Sequence, residues 1–346
     1  MKERNQKNTR RDFLKLISAA GAGALLASCG GKKILSTPQT ELIYPTATRM
    51  VTAAAQEQGV EDRLPEETGE PTPQPAAGQA YLSVARGSDP AAMTVAALAA
   101  LGGIEHFVKS GYNVIIKPNI CTDYYSYEYG ATTNPTVIAT LVQLCQGAGA
   151  GRVRVMDMPF AGSPKSAYVK SGIAEAVEKV GGEMEIMNRH KFVEAEIPDG
   201  LDIHSWSFYK EILDADLVID VPIAKDHGTT RLSLGAKNML GVITNPGGIH
   251  ANIHQRIADL TSRVRPKLTV VDAIRTLMSN GPTCGNLNDV CMTNTIIASH
   301  DIVAADAYAS TLFGILPQDI GFIQACAAMG LGTMDLNAIQ IEEISV

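Results

Sequence analysis

The sequence predicts an α/β domain with a mainly parallel sheet flanked by helices. Short runs rich in Val and Ile recur along residues 81–346, and amphipathic segments with a helical period separate most of them. Strands that alternate with helices are joined by crossover connections, so such a sheet is mainly parallel. The length of this region fits one large domain or two lobes around a cleft, and the sequence leaves that choice open.

The predicted strands are short apolar runs of the kind that lie buried in a parallel sheet. They cover residues 81–86, 113–119, 152–159, 183–188, 215–225, 267–274 and 294–301. The clearest predicted helices are the amphipathic segments at residues 93–109, 135–149 and 171–182. Asn134 before Pro135 is typical of an N-cap followed by the first helical residue, and Gly147 marks the end of that helix.

Residues 1–29 are typical of a bacterial export signal. Arg10 and Arg11 stand in the string T-R-R-D-F-L-K, which resembles the signature read by the twin-arginine translocation machinery. The apolar stretch that follows is shorter than the roughly 20 residues that cross a bilayer, but it suits a signal sequence. The string L-A-S-C ending at Cys29 resembles a lipobox, in which the cysteine receives a lipid. An ordinary secretory signal with incidental arginines is the alternative.

These features predict an extracytoplasmic protein that an N-terminal lipid on Cys29 anchors to the cell membrane. Residues 30–80 are rich in Pro, Thr, Glu and Gln, a composition that buries too little apolar surface to fold and that forms extended spacers. We therefore expect a flexible tether between the leader and an α/β domain at residues 81–346.

Composition excludes some partners and cofactors. The net charge is −7 and the acidic residues are dispersed, which argues against nucleic acid as a partner, because phosphate binding needs clustered Lys and Arg. No C-x-x-C string occurs, so there is no ferredoxin-type iron–sulfur motif. Apart from Cys29, the sequence does not settle whether the cysteines are oxidised. These are Cys121, Cys145, Cys284, Cys291 and Cys326.

Lysines at or near the predicted strand ends indicate a site for a small anion. Ligands of open parallel sheets bind beyond the carboxyl ends of the strands, and converging lysines would attract a carboxylate or a phosphate there. Turn amides near Thr133 would assist. The alternative is that each lysine pairs with a local acid. The candidate residues are Lys117, Asn119, Thr133, Lys225, Lys237, Asn238 and Asn280.

Histidines and aspartates offer a second hypothesis, a transition-metal site. His250 and His254 share one face if their segment is helical, and imidazole with carboxylate suits zinc, iron, nickel or manganese. The string H-x-x-x-H lacks the glutamate of H-E-x-x-H, and exposed helix histidines are the alternative. The candidate ligands are His227, His250, His254, Asp226 and Asp157.

Other catalytic patterns are absent or weak. The sequence has no nucleotide-binding glycine motif and no G-x-S-x-G elbow. Cys121 is the best thiol candidate, because it follows a strand end near Lys117. The tyrosines at positions 124–129 predict a loop over the cleft or plain surface packing.

Several strings together resemble the DUF362 family, whose members are bacterial and archaeal proteins of unknown function. They are VIIKPNI, ATTNPTVIATLVQL, AKDHGTTRLSLGAKNMLGVI, IADL, VRPKLTVVDAI, NGPTCG and HDIVAADAYAS, in that order within residues 81–340. Many relatives carry a ferredoxin-like module; we expect none in this sequence, consistent with the missing C-x-x-C, so the resemblance does not imply the electron-transfer role of those relatives. The resemblance implies no reaction.

Two classes of function therefore remain open at this point. One is an exported enzyme that depends on a metal or another cofactor, with redox chemistry or proton abstraction as its reaction. Twin-arginine export favours it, because that route carries folded and often cofactor-loaded proteins. The other is a tethered binding protein for a small anion or a metal, without turnover. A scaffold for a neighbouring membrane complex is a third hypothesis.

Overall fold

A ten-stranded mixed sheet separates two hydrophobic clusters in the folded body. The computed structural model describes residues 80–346. The predicted leader, with Arg10, Arg11 and Cys29, lies outside the described residues, as does almost all of the predicted tether. The described residues belong to one compact unit. No helix in this part of the chain is long and apolar enough to cross a membrane.

The strands occur at most of the places that the apolar runs predict. They are β1 (Leu82–Arg86), β2 (Asn113–Pro118), β3 (Arg152–Val155), β4 (Glu183–Met184), β5 (Phe192–Glu196), β6 (Ser205–Tyr209), β7 (Leu217–Val221), β8 (Ile223–His227), β9 (Arg231–Ser233), β10 (Leu268–Leu277), β11 (Val290–Ser299) and β12 (Ile341–Ser345). The sheet runs in the order β12-β1-β11-β10-β7-β2-β3-β4, with β8 paired to β10 and β9 paired to β8.

Most neighbouring strands are parallel, which confirms the predicted fold class. The ladders β2–β3, β2–β7, β3–β4, β7–β10, β8–β10 and β1–β12 are parallel. Strand β11 is the exception among the predicted strands, because it runs antiparallel to both β1 and β10. It follows β10 directly in the order of strands, and the two strands pair with each other along most of their length.

The predicted strand at residues 215–225 is two strands. β7 ends at Val221 and β8 begins at Ile223, so Pro222 breaks the run. Proline has no N–H to donate to a ladder, and its carbonyl instead accepts from the amide of Asp272. The separate two-stranded sheet β5–β6 and the strands β9 and β12 were not predicted.

The helices flank the sheet, and three of them overlap the helical segments that the sequence predicts. They are α1 (Pro90–Ala100), α2 (Pro135–Gly147), α3 (Pro164–Lys170), α4 (Ile173–Lys179), α5 (Lys210–Leu213), α6 (Gly235–Asn238), α7 (Ile253–Val264), α8 (Ile302–Thr311) and α9 (Gly321–Ala328). The N-cap prediction for α2 is confirmed, because the Asn134 side chain accepts from the amide of Thr136. The predicted helix at residues 93–109 ends early at the positive-φ residues Gly102 and Gly103.

Side chains of successive strand residues enter opposite clusters. In β2, Ile115 joins one cluster, while Val114 and Ile116 join the other. This alternation shows that both faces of the central strands are buried, as a parallel sheet with helices on both sides requires. The polar residues that follow these strands are thereby held at the carboxyl edge of the sheet.

Candidate anion-binding site

A cavity of about 730 Å³ lies where β2, β3 and β7 end and where β8 leads to α6. That volume is in the range of small-molecule sites. One part of its wall is polar and charged. The rest is apolar and is formed by Ile120, Met158, Phe160, Phe192, Pro222, Ile223, Leu234, Leu240 and Ile243.

Lys117 and Asp157 form a buried ion pair behind the cavity. The Lys117 ammonium donates to Asp157 Oδ1 at 2.8 Å, to Asn238 Oδ1 at 2.8 Å and to the Pro118 carbonyl at 3.0 Å. Its three N–H groups are thus used, and its side chain is fully buried. Asp157 Oδ2 accepts from the amide of Ile120 at 2.6 Å. The prediction that Lys117 binds a ligand is therefore wrong, and its alternative, pairing with an acid, is what the structure shows.

Lys225 is held at the cavity wall by two acceptors. Its ammonium donates to Asn119 Oδ1 at 2.9 Å and to the Ala131 carbonyl at 2.8 Å. One of its three N–H groups has no partner among residues 80–346. The Asn119 amide group donates in turn to Asn238 Oδ1 at 3.0 Å. Thr133 supports this series of hydrogen bonds from outside the cavity, because its hydroxyl accepts from the Asn119 backbone amide at 2.8 Å.

Lys237 is the lysine that no protein acceptor satisfies. It lies in α6 and lines the cavity, and it makes no hydrogen bond or ion pair within the described part of the chain. Burial lowers the pKa of Lys237 to about 8, repulsion from Lys225 adds to this, and Cys121 opposes it. Lys237 is partly buried, and a partly desolvated ammonium without a counter-ion is costly, so this side chain is stabilised by losing its proton or by binding an anion.

His227, at the end of β8, presents a hydrogen-bond donor to the cavity. Its Nδ1 accepts from the backbone amides of Thr229 at 3.1 Å and Thr230 at 3.4 Å. Because burial, with Lys237 and Lys225 beside it, lowers the pKa of His227 to about 3, the ring is neutral. A neutral imidazole whose Nδ1 accepts carries its proton on Nε2. The assigned tautomer therefore donates from Nε2.

Two further residues add to the polar wall. Ser233, the last residue of β9, is buried, and its hydroxyl has no hydrogen-bond partner in the described structure. Arg189 contributes a guanidinium from the turn before β5. The one carboxylate that lines the cavity, Asp157, is already paired with Lys117. The unpaired groups at the cavity are therefore positively charged or hydrogen-bond donors.

The part of the chain that forms the cavity matches a known protein family. A model described as "Domain of unknown function (DUF362)" matches residues 114–311, which include every residue lining the cavity. The chain belongs to the DUF362 family. A thylakoid-associated protein of Synechocystis sp. is 27% identical to this DUF362 chain over 242 residues, which are 67% of this chain and 72% of that protein.

Two solved structures resemble the DUF362 chain at low identity. The lactate racemase apoprotein from Thermoanaerobacterium thermosaccharolyticum has a TM-score of 0.44 and 12% identity, and the match covers 69% of this chain and 57% of that one. A Thermotoga maritima protein has a TM-score of 0.36 and 10% identity, and the match covers 66% and 60%. The chain thus spans less than two thirds of each.

The DUF362 domain does not bring the five predicted metal ligands together. Asp157 is paired with Lys117, and Asp226 accepts from the backbone amide of Gly281 at 2.9 Å. The ring of His254 lies against Gly321 in α9 and not in the cavity. His227 presents an N–H instead of a lone pair. Among residues 80–346 no group of three or more His, Cys, Asp or Glu could hold a metal ion. The donor set therefore does not fit the predicted transition metal.

Other predicted site residues differ in their positions. His250 lines the cavity, and its Nδ1 lies 3.2 Å from the carbonyl oxygen of Gly247. Cys121 also lines it, and its thiol donates to the Pro282 carbonyl at 3.5 Å. The prediction that Asn280 lines the cleft is wrong, because its side chain donates to Asp289 within the β10–β11 connection. The tyrosine loop also lies outside the cavity lining.

Sequence reasoning missed several residues of the DUF362 cavity. Ser233 is the last residue of β9, a three-residue strand that is too short to be predicted from an apolar run. Arg189 and Phe192 could not be found, because the β5–β6 segment shows neither a long apolar run nor a helical period. The apolar wall was therefore the least predictable part of the site.

Proposed function

We propose that this protein binds a small organic anion in the cavity. The observation that carries the proposal is the Lys237 ammonium, which is partly buried, lines the cavity without a protein partner among residues 80–346, and is repelled by the buried ammonium of Lys225. Two neighbouring cations in a partly desolvated cavity are both stabilised when negative charge is supplied, and no unpaired carboxylate among the described residues lines this cavity. A bound carboxylate or phosphate supplies that charge.

The shape of the wall indicates the rest of the ligand. Lys225, Lys237, His227 and Ser233 would hold the anionic group by charge and by donated hydrogen bonds. The apolar residues Phe160, Phe192 and Leu240 would cover a non-polar body. We therefore expect a ligand that combines one strongly charged end with an aliphatic or aromatic part.

Binding can be measured with the natural fluorescence of the protein. The chain has a single tryptophan, Trp206, whose indole N–H donates at 2.8 Å to the carbonyl oxygen of Thr244, a cavity residue. Titration with aryl carboxylates and aryl phosphates should change this fluorescence, whereas the uncharged amides of the same acids should not.

The matched variants for this titration are Lys237→Met and Lys179→Met. Lys179 is exposed and pairs with Glu175, so its loss should leave affinity unchanged. Loss of Lys237 should weaken binding by about tenfold or more, equivalent to roughly 1.4 kcal/mol. Equal binding of acids and amides, or equal affinity of the two variants, would contradict the proposal.

Export and tethering are part of the same proposal. The twin-arginine string and the L-A-S-C string support it, and the relative described as thylakoid-associated is consistent with a protein that acts at a membrane. Cell fractionation tests it. The unaltered chain should be found with membranes, Cys29→Ser should be released outside the cytoplasm, and the double change Arg10→Lys with Arg11→Lys should stay in the cytoplasm. Membrane retention of the Cys29→Ser chain would disprove the lipid anchor.

A further inference from the structure

We infer that Lys237 is a nucleophilic amine, and that the ligand is an anion with an aldehyde or ketone group that Lys237 binds covalently as an imine. This inference rests on the proposed function, because the anionic group brings the carbonyl carbon to the amine. It adds a chemical step that simple binding does not require.

The hydrogen bonds of the three lysines distinguish their roles. Lys117 donates all three N–H groups to protein acceptors and Lys225 donates two, so protein acceptors occupy most of the donor capacity of both. Lys237 has no protein acceptor within residues 80–346 and faces the cavity. A lone pair on this nitrogen is therefore free to react with a bound molecule.

The charges around Lys237 favour the neutral amine that attack requires. The titratable groups lining the same cavity are Cys121, Asp157, Arg189, Lys225, His227 and His250. Asp157 is neutralised by Lys117, and Lys225 repels a second positive charge. Desolvation next to another cation is a general way to activate an amine toward carbonyl compounds. With the pKa lowered to about 8, a useful fraction of Lys237 is unprotonated near neutral pH.

Imine formation takes place in two steps, and groups next to Lys237 can assist it. The Lys237 lone pair attacks the carbonyl carbon, a C–N bond forms, and the carbonyl π electrons pass to oxygen. The oxygen gains one proton and the nitrogen loses one, which gives a carbinolamine. Loss of its hydroxyl group as water, with the second nitrogen proton, gives the C=N bond. The Nε2–H of His227 can donate a hydrogen bond to the carbonyl oxygen, and Lys225 with Ser233 can hold the anionic group.

Reduction with sodium borohydride tests this step, because it converts an imine into a stable secondary amine. Two aldehyde anions serve as probes, pyridoxal 5′-phosphate and glyoxylate. Their alcohols, pyridoxine 5′-phosphate and glycolate, serve as controls that bind without reacting. We expect one adduct per chain, located at Lys237 by peptide mass mapping, with protection by the matching alcohol. Lys237→Arg keeps the charge and should lose the adduct, whereas Lys179→Met should keep it.

The pH dependence gives a readout that a merely structural lysine would not show. The trapping rate should rise as pH passes through about 8, and Lys225→Met should move this midpoint to higher pH, because it removes the repulsion. Binding of the alcohols without an adduct at Lys237 would overturn the imine and leave anion binding intact. Absence of both binding and adducts, for both probes in a folded protein, would overturn both proposals.

Discussion

At the residue scale, Lys237 imposes a cost on folding that a neutral residue would not. Its pKa is 10.5 in the unfolded chain and about 8 in the fold, so the penalty is zero above pH 10.5 and complete below about 8. Lys237→Met should therefore raise the stability at pH 7 by up to about 3 kcal/mol, since one pKa unit corresponds to about 1.4 kcal/mol.

Urea unfolding at pH 7 and above pH 10.5 measures this effect. The Lys237→Met chain should have a larger free energy of unfolding than the unaltered chain at pH 7, and this difference should disappear above pH 10.5. Lys179→Met, which removes an exposed lysine, provides the baseline. A Lys237→Met chain that is less stable at pH 7 would show that this ammonium stabilises the fold, and that its cost has been misjudged.

Single residues also show how much of the site can be predicted from the sequence. Position at or near a predicted strand end selected Lys225 and Lys237, and both line the cavity, because parallel strands end at one edge of the sheet. Position alone could not separate Lys117 from them, since its partner Asp157 follows a different strand. The role of His227 depends on two backbone amides that fix its tautomer, which no spacing of residues reveals.

At the element scale, the connection after α6 approaches the Lys117–Asp157 pair very closely. A methyl group on Gly241 would overlap Asp157 Oδ1 and lie 2.7 Å from Lys117 Nζ. Gly241→Ala should therefore force the two charges apart and cost about 3 kcal/mol or more, the usual effect of breaking a buried pair.

Thermal and urea unfolding of Gly241→Ala check this expectation. Gly147→Ala is the matched control, because Gly147 ends α2 with open space around the added methyl group. The control should be nearly neutral. Equal stability of the two variants would mean that the backbone moves away from the pair at little cost, and that the pair does not fix α6.

Helix α6 is also fixed from its other side. Asp306 in α8 accepts from the amides of Gly235 at 2.6 Å and Ala236 at 2.9 Å. Asp220 in β7 accepts from the Asn238 side chain at 2.7 Å. Strand periodicity predicted β7 and the helical pattern predicted α2, but a four-residue helix has no period to detect. The element that carries Lys237 is therefore defined by distant carboxylates and not by its own sequence.

At the scale of the whole molecule, the charge of the site is opposite to that of the chain. The net charge is −7, yet the cavity is lined by Lys225, Lys237 and Arg189, and the one carboxylate in its lining is paired with Lys117. Composition could not reveal this reversal, because it depends on which lysines remain without partners after folding. The fold class followed from the alternation of strands and helices, and the antiparallel placement of β11 followed only from the structure.

The position of β1 has a mechanical consequence. It is the first described strand, and it lies between β11 and β12 with five residue pairs on each side. Any tension that reaches the body through the chain before Ala80 enters β1 along its length. The hydrogen bonds of the β1–β11 and β1–β12 ladders are then loaded in shear and must break together. This requires more force than breaking the same hydrogen bonds one after another. A pull on the N-terminal side of the domain therefore loads a strand that is hydrogen-bonded on both of its edges.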